Sequence, residues 1–383
     1  LTLDTDNGSS SSDGIVGTLT PAFTLATASD TTYTGSNAPT AAVASVVVQV
    51  STDDGTTWTT KGTSTSTSSP YAIALAGLTS QTTYKIQALV TDTAGNTSTT
   101  ALSTTSALVT VDTTAPTAGT VTMTSTDGGA SSSDGIVGTL TPSFALAVSG
   151  TSDGSYTGSG SNATGISSVV LQVSSDGGTT WVDNATFTAP SGGGTSYTVT
   201  AAALTSGTTY SVRALVTDLA TNTVTSALST TSGAITVDTT APTPGTLTMT
   251  STDTGSASND GIVNNATPAF SLSTATDTAY TGTGHPTAAI ATVTLETSLD
   301  SGTNWVTNAT FTAPTSPATA YTVTAASLAT NTTYKIRARV TDTAGNSATT
   351  DLSTTSATIV VDTTTPTAGT LAIVETDGVT NDG

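Results

Sequence analysis

Any chemistry in this chain has to come from aspartate. The 383 residues hold 24 Asp and two Glu against six Lys and Arg, one His and no Cys, for a formal charge of −20. Twenty of the Asp fall in six columns that recur along the sequence. Asp6, Asp127, Asp253 and Asp377 form one column; Asp13, Asp134, Asp260 and Asp382, each followed by Gly, form a second. Asp92, Asp218 and Asp342 close VTD runs, and Asp112, Asp238 and Asp362 lie in the runs VDTTAP or VDTTTP. These four columns sit at the ends of strand-like runs or in connections, and their residues are read as candidate cation ligands. Carboxylates gathered within a few ångström repel unless a cation joins them. Six bases are too few to neutralise them, and Ca²⁺ accepts six to eight oxygens from flexible loops. The linker Asp of one repeat and the Asp after the first strand of the next are the pair expected to meet. The same residues also serve as turn formers, because Asp-Gly and Asx turns need no ligand; both readings stay open. Asp30, Asp153 and Asp277, ahead of Tyr33, Tyr156 and Tyr280, are read as turn residues.

The sixth column belongs to STDDGTTW (Ser51–Trp58), SSDGGTTW (Ser174–Trp181) and SLDSGTNW (Ser298–Trp305). These fit S-x-D-x-G-x-x-W and resemble the Asp-box of sialidase propellers. Sialidase chemistry needs an arginine cluster on the substrate carboxylate, whereas Arg213, Arg337 and Arg339 are the only arginines here. The box is therefore read as a hairpin device with the Trp packed beneath it. A lone His285 without a G-x-S-x-G elbow offers no triad, and two Glu that do not recur offer no acid pair. No enzymatic activity is expected. The acidic balance excludes a nucleic-acid binder, and no apolar run reaches the roughly 18 residues of a membrane span. Without Cys there is neither a disulfide framework nor a thiolate zinc site.

The elements that must position these residues follow from the repeat. High net charge with few large aliphatic residues would by itself signal disorder. However, Trp58, Trp181 and Trp305 are spaced by 123 and 124, and Tyr84, Tyr210 and Tyr334 keep the same beat. A period of about 124 residues implies a folded unit with its own core. Repeats are expected over 1–117, 118–243 and 244–368, with 369–383 starting a further one from the strand Gly369–Thr376. In the second repeat, strands are predicted at Gly119–Ser125, Thr139–Ala147, Ile166–Ser174, Trp181–Thr188, Ser196–Ala203, Thr209–Asp218 and Ala234–Asp238. Seven short strands with turn signals between them read as an antiparallel sandwich, one Trp and one or two Phe supplying the core aromatics. The threonines of the outer face favour strands without adding charge. Each Tyr of the series follows a Leu by six residues, the spacing of a tyrosine corner, in which the hydroxyl bonds back to the chain.

The runs VTDTAGN (Val90–Asn96, Val340–Asn346), VTVDTTAPT (from Val109) and TDTGSASNDGIVNNATPAF (Thr252–Phe270) resemble bacterial immunoglobulin-like repeats of giant surface adhesins and biofilm-associated proteins. The likeness covers essentially the whole chain; VTDLATN (Val216–Asn222) departs from it in replacing the Gly. The resemblance implies an all-β, rod-like tandem of immunoglobulin-like sandwiches outside the cell, with Ca²⁺ at the junctions. Its partners would be neighbouring repeats, other copies of itself, or a cell-surface or glycan target bound elsewhere, with no nucleic acid and no membrane insertion. The chain is read as a segment of a longer array. Alternatives are a filament or surface-layer subunit built by strand exchange or head-to-tail contacts, and an accessory module of a secreted carbohydrate-active enzyme.

Overall fold

A computed structural model describes residues 1–4, 6–30, 43–103, 107–125, 134–153, 165–191, 194–229, 233–253, 257, 260–277, 290–314, 319–354 and 357–372. Every regular element among them is a strand. The first sandwich holds β1 (Thr2–Leu3), β2 (Ile15–Val16), β3 (Ala22–Leu25), β4 (Val43–Ser51), β5 (Thr59–Thr63), β6 (Tyr71–Ala74), β7 (Thr82–Asp92), β8 (Thr97–Ala101) and β9 (Leu108–Val111). The second holds β10 (Val121–Met123), β11 (Ile136–Val137), β12 (Ser143–Ala147), β13 (Ile166–Ser174), β14 (Val182–Thr186), β15 (Ser196–Thr200), β16 (Thr208–Asp218), β17 (Thr223–Ala227) and β18 (Ala234–Val237). The third runs through β19 (Leu247–Met249), β20 (Ile262–Val263), β21 (Ala269–Leu272), β22 (Ile290–Ser298), β23 (Val306–Thr310), β24 (Tyr321–Thr324), β25 (Thr332–Asp342), β26 (Ser347–Asp351) and β27 (Thr358–Val361). The chain divides into two compact units: the first holds the first two sandwiches, the second the third.

Each sandwich sets a three-stranded sheet, β1-β3-β6 in the first, against a six-stranded one, β2-β9-β7-β4-β5 with β8 also on β7. The fold class is all-β immunoglobulin-like. Alternation places one face inward: Val46, Val48 and Val50 of β4 face the core with Tyr84, Ile86 and Ala88 of β7, all at most 5 % exposed. Phe23, Phe144 and Phe270 anchor the three cores. The tyrosine corners form as the spacing predicts. The hydroxyls of Tyr84, Tyr210 and Tyr334 accept hydrogen bonds from the backbone N–H of Thr79, Thr205 and Ala329 at 3.0, 3.1 and 2.9 Å.

Three expectations are corrected. Each larger sheet is mixed, because a two-residue strand such as β11 pairs parallel with β18. Both β11 and β17 escape the alternation criterion, one for its length and the other for its Thr- and Ser-rich exposed run. The tryptophans belong to none of the core clusters. They lie half-buried on the outer face, where Arg213 stacks on Trp181 and Arg337 on Trp305, each 4.0 Å from the ring centroid. Residues 369–372 are exposed and carry no strand; the rest of the predicted Gly369–Thr376 strand lies outside the described residues.

Candidate metal centre

The Asp-box builds its hairpin as predicted. Asp176 accepts from Thr180 N at 2.9 Å and from the Ser174 hydroxyl at 2.7 Å, while Trp181 Nε1 donates to Gly178 O at 3.0 Å. Bonds from Thr57 hold the Asp53 carboxyl down at about 2, and bonds from Asn304 and Ser298 do the same for Asp300. These aspartates are consumed by their own turns.

Asp13, Asp134 and Asp260 each accept from the backbone N–H two residues on, at 3.0 Å, as Asx turns do. Asp6 and Asp253 tie the same loop from its other end, accepting from Gly14 N at 3.1 Å and Gly261 N at 3.0 Å. Burial, with Asp13 beside it, pushes the Asp6 carboxyl up. Gly14 is required where it stands: its φ is +76°, and a Cβ would lie 2.6 Å from Leu108 O. Asp92 accepts from Ala94 N, Asn96 N and Asn96 Nδ2 within its turn. Asp362 is exposed. Asp127, Asp377 and Asp382 lie outside the described residues.

Two groups of carboxylates stand apart. In the first unit, carboxylate oxygens of Asp112, Asp153 and Asp218 lie within 4.8 Å of one another; in the second unit, those of Asp238, Asp277 and Asp342 do the same. All six residues are at most 8 % exposed. The linker Asp thus meets the residue ending the long strand, β16 or β25, and one from the loop after β12 or β21. Asp153 and Asp277, read as turn residues, are the third members. The partner expected for Asp112, Asp127, is not among the described residues.

The local geometry explains why these side chains converge. Asp112 follows β9 directly; its N–H donates to Val16 O at 2.9 Å, and its Oδ1 accepts from Thr114 N at 3.0 Å. Asp218 turns the hairpin between β16 and β17, accepting from Asn222 N at 2.8 Å and Asn222 Nδ2 at 3.0 Å. That same Nδ2 donates to Asp112 O at 3.0 Å, so Asn222 joins the linker to the hairpin. In the second unit, Asn346 Nδ2 bonds Asp342 Oδ2 at 3.0 Å and Asp238 O at 2.9 Å.

The electrostatics are unfavourable without a counter-charge. Burial, reinforced by Asp153 and Asp218, drives the Asp112 carboxyl up to about 6, against the pull of Thr114 N–H. Burial also raises Asp218, Asp238 and Asp342, and the neighbouring carboxylates add to it. Asp238 Oδ2 is buried with no hydrogen-bond partner. None of the six bases is near: Lys85, Lys335 and Arg337 pair with Asp54, Asp351 and Glu296. Lys61, Arg213 and Arg339 bond Gly77 O, Gln172 and Ser347. Three hard anionic oxygens in loop geometry, with an orphaned buried oxygen and no base, fit a divalent cation of the Ca²⁺ type.

No family model matches the chain, and no curated protein matches it. Solved tandem-domain structures are similar at low identity. The FN1–FN3 domains of chicken CNTN1 share 12 % identity, covering 88 % of this chain and 94 % of theirs, with a TM-score of 0.28. Three N-terminal domains of the outer capsid protein Hoc of bacteriophage RB49 share 12 %, covering 92 % and 96 %, with a TM-score of 0.28. The Escherichia coli adhesin FdeC shares 13 %, covering 92 % and 96 %, with a TM-score of 0.27. Such likenesses carry no functional information.

Proposed function

We propose that this chain is a non-catalytic structural or adhesive module of the cell surface, in the manner of biofilm-associated adhesin stalks, whose linkers are fixed by Ca²⁺. One observation carries the reading: each buried carboxylate trio combines a linker Asp with two Asp of the sandwich that follows it. In the first unit, an ion held by Asp112, Asp153 and Asp218 would tie the end of β9 to the second sandwich and stiffen that joint. The ion supplies the positive charge that the sequence withholds. Extracellular Ca²⁺ modules bind at roughly 10⁻⁴–10⁻³ M, and an affinity in that range is the one this reading expects. An outer face of Thr and Ser, neutral and strand-forming, suits exposure there.

Isothermal titration of the ion-free chain tests this. Ca²⁺ is expected to bind, with one site lost in Asp218→Asn and another in Asp342→Asn. Heats indistinguishable from buffer, or unchanged in both variants, would overturn the reading.

A further inference from the structure

One peptide bond of the first sandwich joins a reactive pair of residues at a point of contact with the second. Of the fourteen Asn in the chain, Asn7 alone is followed by Gly. The pair lies in the irregular loop between β1 and β2, with Asn7 exposed. The other repeats carry Gly128 and Thr254 at the matching place, so the pair occurs once.

An asparagine side chain lies one ring closure away from the next backbone nitrogen, and attack of that nitrogen on Cγ gives a five-membered succinimide. A Cβ on the following residue obstructs the closure, and Gly8 has none. Among the described residues, the Gly8 N–H donates no hydrogen bond, so the attacking nitrogen is not engaged elsewhere. On the other side, Gly17 N donates to Asn7 Oδ1 at 3.2 Å. That bond polarises the amide carbonyl and meets the oxygen on which negative charge develops during the attack, as an oxyanion donor does. Asn222 and Asn346 show the contrast. Their amides are tied to Asp218 and Asp342 and to the linker carbonyls, and the residues that follow them, Thr223 and Ser347, open β17 and β26.

The same loop touches the second sandwich, within the first unit. Ser9 N donates to Leu219 O at 2.8 Å, and Thr221 Oγ1 donates to Asn7 O at 3.4 Å. These two bonds flank the Asn7–Gly8 peptide. The fit has no slack: a Cβ on Gly8 would lie 2.6 Å from Leu219 O, and one on Gly17 would lie 2.6 Å from Ala220 O. Thr221 holds a φ of +71°, a conformation that Gly95 and Gly345 take at the matching places and that disfavours a β-branched residue.

We infer that Asn7 is a self-modifying site whose conversion releases the first sandwich from the second. The Gly8 nitrogen gives up its proton to solvent and forms a bond to Asn7 Cγ. The Cγ–Nδ2 bond breaks, and Nδ2 leaves as ammonia with a proton taken from water. Water then opens the succinimide, so the net change is water in and ammonia out. Opening at Cγ leaves an aspartate; opening at the main-chain carbonyl carbon leaves isoaspartate, whose backbone runs through Cβ and Cγ. Isoaspartate lengthens the chain by one bond between the two anchors and adds a carboxylate to a loop that already holds Asp6 and Asp13. Without slack, the bonds to Leu219 and Thr221 are lost. The site stands apart from the carboxylate trios and does not depend on the cation.

Ageing of the full chain in mildly alkaline buffer tests it, followed by peptide mass spectrometry, enzymatic methylation of isoaspartate and amide hydrogen exchange. Asn7 is expected to convert ahead of every other Asn, with isoaspartate as the main product, and the Ser9 amide to lose its protection as conversion proceeds. Asn7→Gln, whose longer side chain closes a ring far more slowly, is expected to keep its mass and its Ser9 protection over the same period. Asn7→Asp, which keeps the main-chain length and an oxygen for Gly17 N, is expected to retain that protection when fresh, separating chain lengthening from added charge. Amide loss at Asn7 no faster than at Asn96 or Asn308 would overturn the site. Full conversion with Ser9 protection unchanged, or an equal loss of protection in aged Asn7→Gln, would overturn the release.

Discussion

Stripping divalent ions should leave a protein that is more stable in mild acid than at neutrality. Burial and its two neighbours raise the Asp112 carboxyl from 3.8 to about 6. Between those values the native state binds more protons than the unfolded chain, so stability falls as pH rises through the window. A shift of roughly two units at 1.36 kcal/mol per unit amounts to about 3 kcal/mol. Asp112 is raised in part by its neighbours, so the figure is not assigned to Asp112 alone. For sandwiches of this size it corresponds to a melting shift on the order of 10 °C. The assay is thermal unfolding by circular dichroism of resin-stripped protein from about pH 4.5 to 7.5, repeated with Ca²⁺. The Asp-box carboxyls, held low by their own turns, lose their stabilising charge only below this range. Without Ca²⁺ the melting temperature is expected to climb toward the acidic end. With saturating Ca²⁺ it is expected to be highest near neutrality, because a ligand held by the native state alone adds stability and protons compete for the same oxygens. A stripped protein that melts lower at pH 5 than at pH 7, with no response to Ca²⁺ at neutrality, would refute the reasoning.

Two further predictions concern the scaffold. Arg337→Ala, which strands the 5 %-exposed Glu296 carboxylate, is expected to cost about 3 kcal/mol in denaturant unfolding. The double change Glu296→Gln with Arg337→Gln, copying the Gln49–Gln87 pair of the first sandwich, is expected to cost less than about 1 kcal/mol. Tyr210→Phe removes the acceptor for Thr205 N and is expected to cost about 1 kcal/mol in the same assay, with the strand signal in circular dichroism unchanged.

The sandwich was legible in the sequence because its signals are local. Val169, Leu171 and Val173 alternate, and Leu204 and Tyr210 keep a fixed interval that packing turns into a hydrogen bond. The tryptophans were misplaced because size and periodicity do not tell inner face from outer. The Asp-box hairpin curls Trp181 back toward Gly178, and Arg213, projecting outward between the inward Val212 and Ala214, covers it. The carboxylate trio was half legible. Asp112 and Asp218 stood out as columns at strand ends. Asp153 also stood in a recurring column, but in a loop of varying length, nine residues after Phe144 against seven from Phe270 to Asp277, where it reads as a turn residue. Loop length hides its register, and its meeting with Asp112 depends on how a linker lies across the next sandwich, which no local pattern records.

The most direct test is a crystal structure of the chain grown with Ca²⁺, with anomalous scattering recorded at long wavelength. The account predicts one peak among Asp112, Asp153 and Asp218 and another among Asp238, Asp277 and Asp342, each about 2.3–2.6 Å from the carboxylate oxygens. Trios closed by hydrogen bonds between their own carboxyls, with no anomalous peak, would contradict it.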